Sequence, residues 1–103
     1  MLDETAQGVF TIAVTPFLPD SAIDWESVDR MVDFYIEMGA TGLTILGMMG
    51  EAGKLTAAES VALVKRVVTR STVPVVVGVS APGFAAMKTL ADASMDIGAA
   101  GVM

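Results

Sequence analysis

Eight consecutive residues, Gly47-Met48-Met49-Gly50-Glu51-Ala52-Gly53-Lys54, set three glycines, a carboxylate and an amine between the apolar run Leu43-Thr44-Ile45-Leu46 and a helix opening at Thr56. Glycine lets backbone N–H groups approach a ligand closely, so such a loop suits the binding of a small anion. Glu51 offers either a general base or a carboxylate that braces the loop by accepting its N–H groups, and the second reading is preferred. Lys54 offers an amine for a Schiff base, but a loop lysine beside glycine lacks the desolvation that lowers a lysine's pKa. Lys65 and Lys88 fall on helix surfaces by their spacing. The expectation is therefore a binding loop, Gly47 to Glu51, that works mainly through its backbone.

Other chemistries are excluded by what the chain lacks. There is no cysteine and no histidine among its 103 residues, which removes disulfides, thiolate nucleophiles, imidazole bases and Cys/His metal sites. No metal and no cofactor is expected. Six basic residues against twelve acidic ones give a formal charge of −6, with no basic patch to meet a phosphate backbone, so nucleic acid is not an expected partner. Five acids, Asp24, Glu26, Asp29, Asp33 and Glu37, share one helix-like segment and read as its solvated face. The acidic start, Met1-Leu2-Asp3-Glu4, and the shortness of every apolar run argue against a signal peptide or a membrane span, which makes the cytoplasm the expected location.

Nucleotide motifs also fail. Gly47 and Gly53-Lys54 are separated by five residues where a phosphate loop needs four, and Leu55 stands where a magnesium-binding hydroxyl is required. The same loop lacks the close glycine pair of the dinucleotide fingerprint. Gly78-Val79-Ser80-Ala81-Pro82-Gly83 reads as an ordinary strand-to-helix turn.

The elements that must position the loop follow from periodicity. Residues 9–15 are rich in β-branched side chains and stop at Pro16, which cannot donate to a ladder, so they form a first strand. Asp24 caps a helix over 24–38, with Ile23 and Val28 placed as a hydrophobic staple and Val28, Met31, Val32, Tyr35 and Met38 at helical spacing. Gly39 stops it. Residues 42–46 give a second strand, and Thr56-Ala57-Ala58-Glu59 is a capping box opening a helix over 57–70, whose Lys65, Arg66 and Arg70 lie near its negative end. Residues 74–79 form a third strand with no polar face. A third helix over 83–97 carries Phe84, Met87, Leu90, Ala91 and Ile97 on one side, and residues 101–103 begin a fourth strand. Strand starts recur at about 30 residues, the length of one βα unit. The 103 residues read as a single partial domain, α/β in class: about three and a half units, the amino-terminal part of a (β/α)8 TIM barrel, which typically needs about 250 residues. An independent flavodoxin-like domain fits the same pattern.

Five motifs then carry a family resemblance: Thr15-Pro16-Phe17, Gly47-x-x-Gly50-Glu51, Leu55-Thr56-x-x-Glu59, Val73-Pro74-Val75 with Gly78, and Gly98-Ala99-Ala100-Gly101. In this order and spacing the chain resembles the dihydrodipicolinate synthase and N-acetylneuraminate lyase family over nearly its whole length. The resemblance implies a lyase or aldolase that condenses or cleaves 2-keto acids such as pyruvate through a lysine Schiff base, in which the iminium is the electron sink. It implies that the lysine lies on strand six and a proton-shuttling tyrosine on strand five, neither within this chain, which is therefore expected to be inactive alone. The pyruvate carboxylate would be held by Gly47, Met48, Met49, Gly50 and Glu51, with Thr15 possible as a residue lining the site, although its own reading is a strand-end hydrogen-bonding residue. The resemblance also implies a homo-oligomer, commonly a tetramer.

Met48-Met49 departs from the family's usual hydroxyl pair, and Ala52 stands where serine often follows the glutamate. Thioethers donate no hydrogen bond and accept weakly. The pair either fills gaps in the barrel mouth or touches substrate. A divergent member acting on another 2-keto acid or sugar acid is the expectation, and a non-catalytic half-barrel that holds a small carboxylate or phosphate is the alternative.

Overall fold

The computed structural model describes residues 8, 10–20, 22–47, 55–79 and 83–103. Three β/α units and a fourth strand follow one another: β1 (Phe10–Ile12), α1 (Trp25–Glu37), β2 (Gly42–Ile45), α2 (Ala57–Arg70), β3 (Val75–Val77), α3 (Phe84–Ile97) and β4 (Gly101–Val102). The strands form one parallel sheet in the order β1-β2-β3-β4. A flavodoxin-like sheet would place β1 between β2 and β3. Sequential order is the one in which a closed barrel begins.

Capping fixes the helix starts. The Asp24 carboxylate accepts from Ser27 N at 3.1 Å to open α1, and Ile23 and Val28 of the staple are both buried. Thr56 and Glu59 exchange reciprocal bonds, Glu59 N to Thr56 Oγ1 at 3.1 Å and Thr56 N to Glu59 Oε1 at 2.9 Å. After α3 the chain turns through Gly98 at φ 117°, a left-handed conformation that costs glycine nothing in Cβ clashes.

The core lies between sheet and helices. Leu43, Ile45, Val75 and Val77 project from one face of the sheet into a buried cluster with Val28, Val32, Leu63, Val64 and Val67. Two side chains assigned to helix faces by spacing fall elsewhere. Met38 caps the end of α1 and is 71% exposed, and Phe84, in the first turn of α3, is 89% exposed. Both lie at helix ends, beyond the stretch that packs on the neighbouring element. The residue of α3 that is fully buried is Ser94, four positions from Leu90, and its Oγ has no hydrogen-bond partner. A small side chain there lets α3 approach closely.

The acidic face of α1 is also more than a solvated surface. Asp29 and Asp33 face α2, where Arg66 holds Asp29 through two 2.8 Å bonds and Arg70 Nε donates to Asp33 at 2.9 Å. Arg66 also lies 5.7 Å from the ring centre of Trp25. These arginines answer a neighbouring helix rather than only the end of their own. Each pairing holds its carboxyl below the usual aspartate range.

Candidate active site at the carboxyl end of the sheet

All four strands point the same way, so the segments after Ala13, Ile45, Val77 and Val102 gather at one end of the sheet. At that end backbone groups are left over from the ladder and face whatever binds. The ladder is shorter there than strand propensity suggests. Propensity extends the strands over residues 9–15, 42–46 and 74–79, whereas β1, β2 and β3 stop at Ile12, Ile45 and Val77.

One residue accounts for the end of β2 and of its pairing with β1 and β3, while on its other edge β3 goes on to bond β4, Val79 N donating to Met103 O at 3.0 Å. Leu46 has φ 57°, the left-handed region, where a residue with a Cβ is strained by about 1–2 kcal/mol. Ala13 N still donates to Thr44 O at 2.8 Å and Gly78 N to Ile45 O at 2.9 Å, but past these bonds β2 has turned away from both neighbours. Alternation would place Leu46 on the opposite face from Ile45. Instead both are buried in the same core cluster. The left-handed turn is the point where the strand becomes the loop.

Gly78 accommodates that turn. A Cβ at this position would stand 2.5 Å from the Leu46 carbonyl oxygen and 3.0 Å from its carbon, both backbone atoms that cannot swing aside. Gly47 follows at the rim of the sheet's other face, where a side chain would meet Ile12 Cγ2 at 3.8 Å and Met103 Cε at 4.0 Å. Thr15, of the expected site residues, is buried just beyond β1. Of the loop read as carboxylate-binding, Gly47 is described, while Met48, Met49, Gly50 and Glu51 lie outside the described residues, as does Lys54. Lys88 is engaged elsewhere, bonded to Asp92 at 2.6 Å on the outer surface of α3, which raises its pKa.

Among the described residues the sheet's carboxyl end thus carries hydroxyl and backbone groups, whereas the charged pairs described above belong to the helical layer. Such an end can orient a small anion by hydrogen bonds; proton transfer or covalent chemistry needs groups from outside the described residues. The Leu46 turn is invisible in the sequence, because nothing in a leucine signals a positive φ. Gly78 is visible there only as part of a motif.

A parallel sheet in sequential order, with helices on one face and a glycine-led loop at its carboxyl end, defines the opening portion of a β/α barrel. Residues 5–103 match the model of the dihydrodipicolinate synthetase family, and the chain belongs to that family. The 4-hydroxy-tetrahydrodipicolinate synthase of Sorangium cellulosum (strain So ce56) is 42% identical over 101 residues, covering 93% of this chain and 33% of that protein. The crystal structure of dihydrodipicolinate synthase from Rhodopseudomonas palustris superposes with a TM-score of 0.95 at 56% identity, covering 99% of this chain and 34% of that one. The Acinetobacter baumannii dihydrodipicolinate synthase, solved with pyruvate, superposes with a TM-score of 0.88 at 30% identity over 93% of this chain and 34% of its own. The chain therefore spans about a third of the length of these relatives and corresponds to part of a TIM barrel.

Proposed function

We propose that the chain supplies the amino-terminal part of a pyruvate-dependent lyase or synthase acting on 2-keto acids through a lysine Schiff base. The carrying observation is the family match over residues 5–103, combined with Gly47 standing at the carboxyl rim of β2. On this reading the backbone N–H groups of Gly47 to Glu51 hold the substrate carboxylate, Thr15 lines the site, and the Schiff-base lysine and the proton-shuttling tyrosine come from strands beyond residue 103. The Acinetobacter baumannii synthase solved with pyruvate supports that keto acid as the substrate class. Work in the cytoplasm as a homo-oligomer belongs to the same reading. No helix among the described residues is long and apolar enough to cross a membrane.

The divergence proposed for this member rests on Met48 and Met49. A side-chain hydrogen bond to a charged group contributes about 1.5–3 kcal/mol, and a lost proton relay costs on the order of 10²–10⁴ in rate. The full-length polypeptide should therefore be trapped on pyruvate by borohydride at one lysine beyond residue 103, yet condense pyruvate with aspartate semialdehyde poorly. Met48→Thr with Met49→Thr should raise that condensation. Failure to trap pyruvate overturns the proposed function; efficient condensation with the methionines in place overturns only the divergence. Residues 1–103 alone should give no specific adduct, and saturable labelling of Lys54 would make the loop itself catalytic.

A further inference from the structure

We propose that Leu46 and Gly78 are a positioning pair that sets the aim of the substrate-binding loop, so that affinity for the 2-keto acid depends on two residues that touch no substrate. The inference rests on the reading of Gly47 to Glu51 as the carboxylate site and adds to it the device that directs those amides. The chain turns toward the loop at Leu46, which is left-handed with φ 57°. The strain is held in place from two sides. The Leu46 side chain is 2% exposed within the core cluster, which fixes the residue from the helical side. From the β3 side, Gly78 N is bonded to Ile45 O at 2.9 Å, one residue before the turn, and the space a Cβ would need at Gly78 is occupied by the Leu46 carbonyl. The Leu46–Gly47 peptide is thus seated directly on the backbone of β3, and its direction is the direction in which the loop sets out. A nonglycine residue at 78 has to push that peptide off. A residue at 46 that resists positive φ has to turn it.

The pair separates conformation from packing, and the test uses that separation in the full-length polypeptide. Leu46→Val keeps much of the buried volume but puts a β-branched side chain where it is a genuine outlier, whereas Leu46→Gly empties the core site and favours the left-handed turn. Expected is a rise of about tenfold or more in the pyruvate concentration giving half-maximal borohydride trapping for Leu46→Val and for Gly78→Ala, as loops displaced from a productive geometry show. In steady state the change should fall on KM more than on kcat, the mark of lost ground-state binding. Leu46→Gly should lower the melting temperature yet keep half-saturation within about threefold, and Leu46→Gly with Gly78→Ala should bind no better than Gly78→Ala alone, because the carbonyl that the new Cβ meets is backbone and is still there.

If the wild type traps pyruvate and Leu46→Val binds it as the wild type does, the positioning role falls while the proposed function stands. The positioning role falls in the same way if Leu46→Gly is the worse of the two in affinity, because packing then decides. If the wild type traps no pyruvate, both fall together. Should Gly78→Ala fail to fold, the comparison of the two Leu46 variants decides alone.

Discussion

The two faces of the β-sheet differ in how much of their structure this chain completes. On the helical face Leu43, Ile45, Val75 and Val77 are all essentially without solvent contact, sealed by α1, α2 and α3. On the other face Ile12 is 49% exposed, Val14 43% and Met103 63%. Alternation in a half-buried antiparallel strand would put polar residues on an open face, but here both faces are apolar, as in sheets meant to be covered on both sides. The lesson is that the helices seal the middle of the outer face, leaving Val102 at its β4 edge 40% exposed, while the inner wall is open along Ile12, Val14 and Met103 and closed only around Thr44.

The largest consequence concerns residues 1–103 prepared as a separate polypeptide. β1 and β4 are the edges of the sheet, with N–H and C=O groups available for pairing beside an apolar inner wall. At about 25 cal/mol per Å², several hundred Å² left uncovered withholds on the order of 10 kcal/mol, which is comparable with the whole stability of a small domain. The separate polypeptide should self-associate, aggregate, or fold only with the rest of the barrel. Analytical ultracentrifugation giving a monodisperse monomer with a cooperative melt would overturn this and erase the contrast between the faces.

Within the full-length polypeptide the contrast should vanish. Leu43→Ala on the helical face should cost about 2–5 kcal/mol by urea denaturation, as buried leucines do. Ile12→Ala should fall in the same range if the remaining strands cover the inner wall. A cost under about 0.5 kcal/mol for Ile12→Ala would show instead that this wall stays open to solvent.

How far this structure is legible in the sequence depends on the range of the signal. The capping box of Thr56 and Glu59, the Asp24 cap and the glycine after α3 are local chemistry, settled within four residues, and they mark the alternation of strand and helix along the chain, whereas the side-by-side order of the strands is tertiary. The loop after β2 is read as a binding loop from its glycines alone, and of these Gly47 lies among the described residues, at the end of a parallel strand. The turn at Leu46 is not legible, since a strained leucine has the same letter as a relaxed one and is held in place by tertiary packing. Nor is the pairing of Asp29 with Arg66 and of Asp33 with Arg70. Each spans 37 residues and depends on the register of two packed helices. Phe84 escapes its expected place because helical phase says which side a residue takes, not how far the neighbouring helix extends.

A smaller effect tests whether the outer layer is as locally determined as it looks. Thr56→Ala removes one half of the capping box and should cost about 1 kcal/mol in the full-length polypeptide, with the fold kept. Thr56→Ser, which preserves the hydroxyl, should restore most of it. Equal losses for the two variants would mean that packing of the residue's methyl, not the cap, holds the start of α2.

The smallest expected effect lies in the ion-pair ladder on the far side of the sheet from the inner wall. Exposed pairs contribute little, so Asp29→Asn with Asp33→Asn should lower the melting temperature only slightly near neutral pH, and less at high salt. The pH dependence gives the sharper measurement. Hydrogen bonds from Arg66 and Arg70 depress the two carboxyl pKa values in the folded state. Their contribution is present above the unfolded aspartate value of about 3.9 and is lost as the pH falls through the lower folded values. Urea titrations of wild type and double variant should therefore converge on going from about pH 6 to below the folded pKa values, because protonated aspartates no longer distinguish them. A difference that persists undiminished in acid would show that it comes from the substituted side chains themselves and not from the charge of the two carboxylates, and the pairing with Arg66 and Arg70 would then contribute nothing to the coupling of α1 to α2.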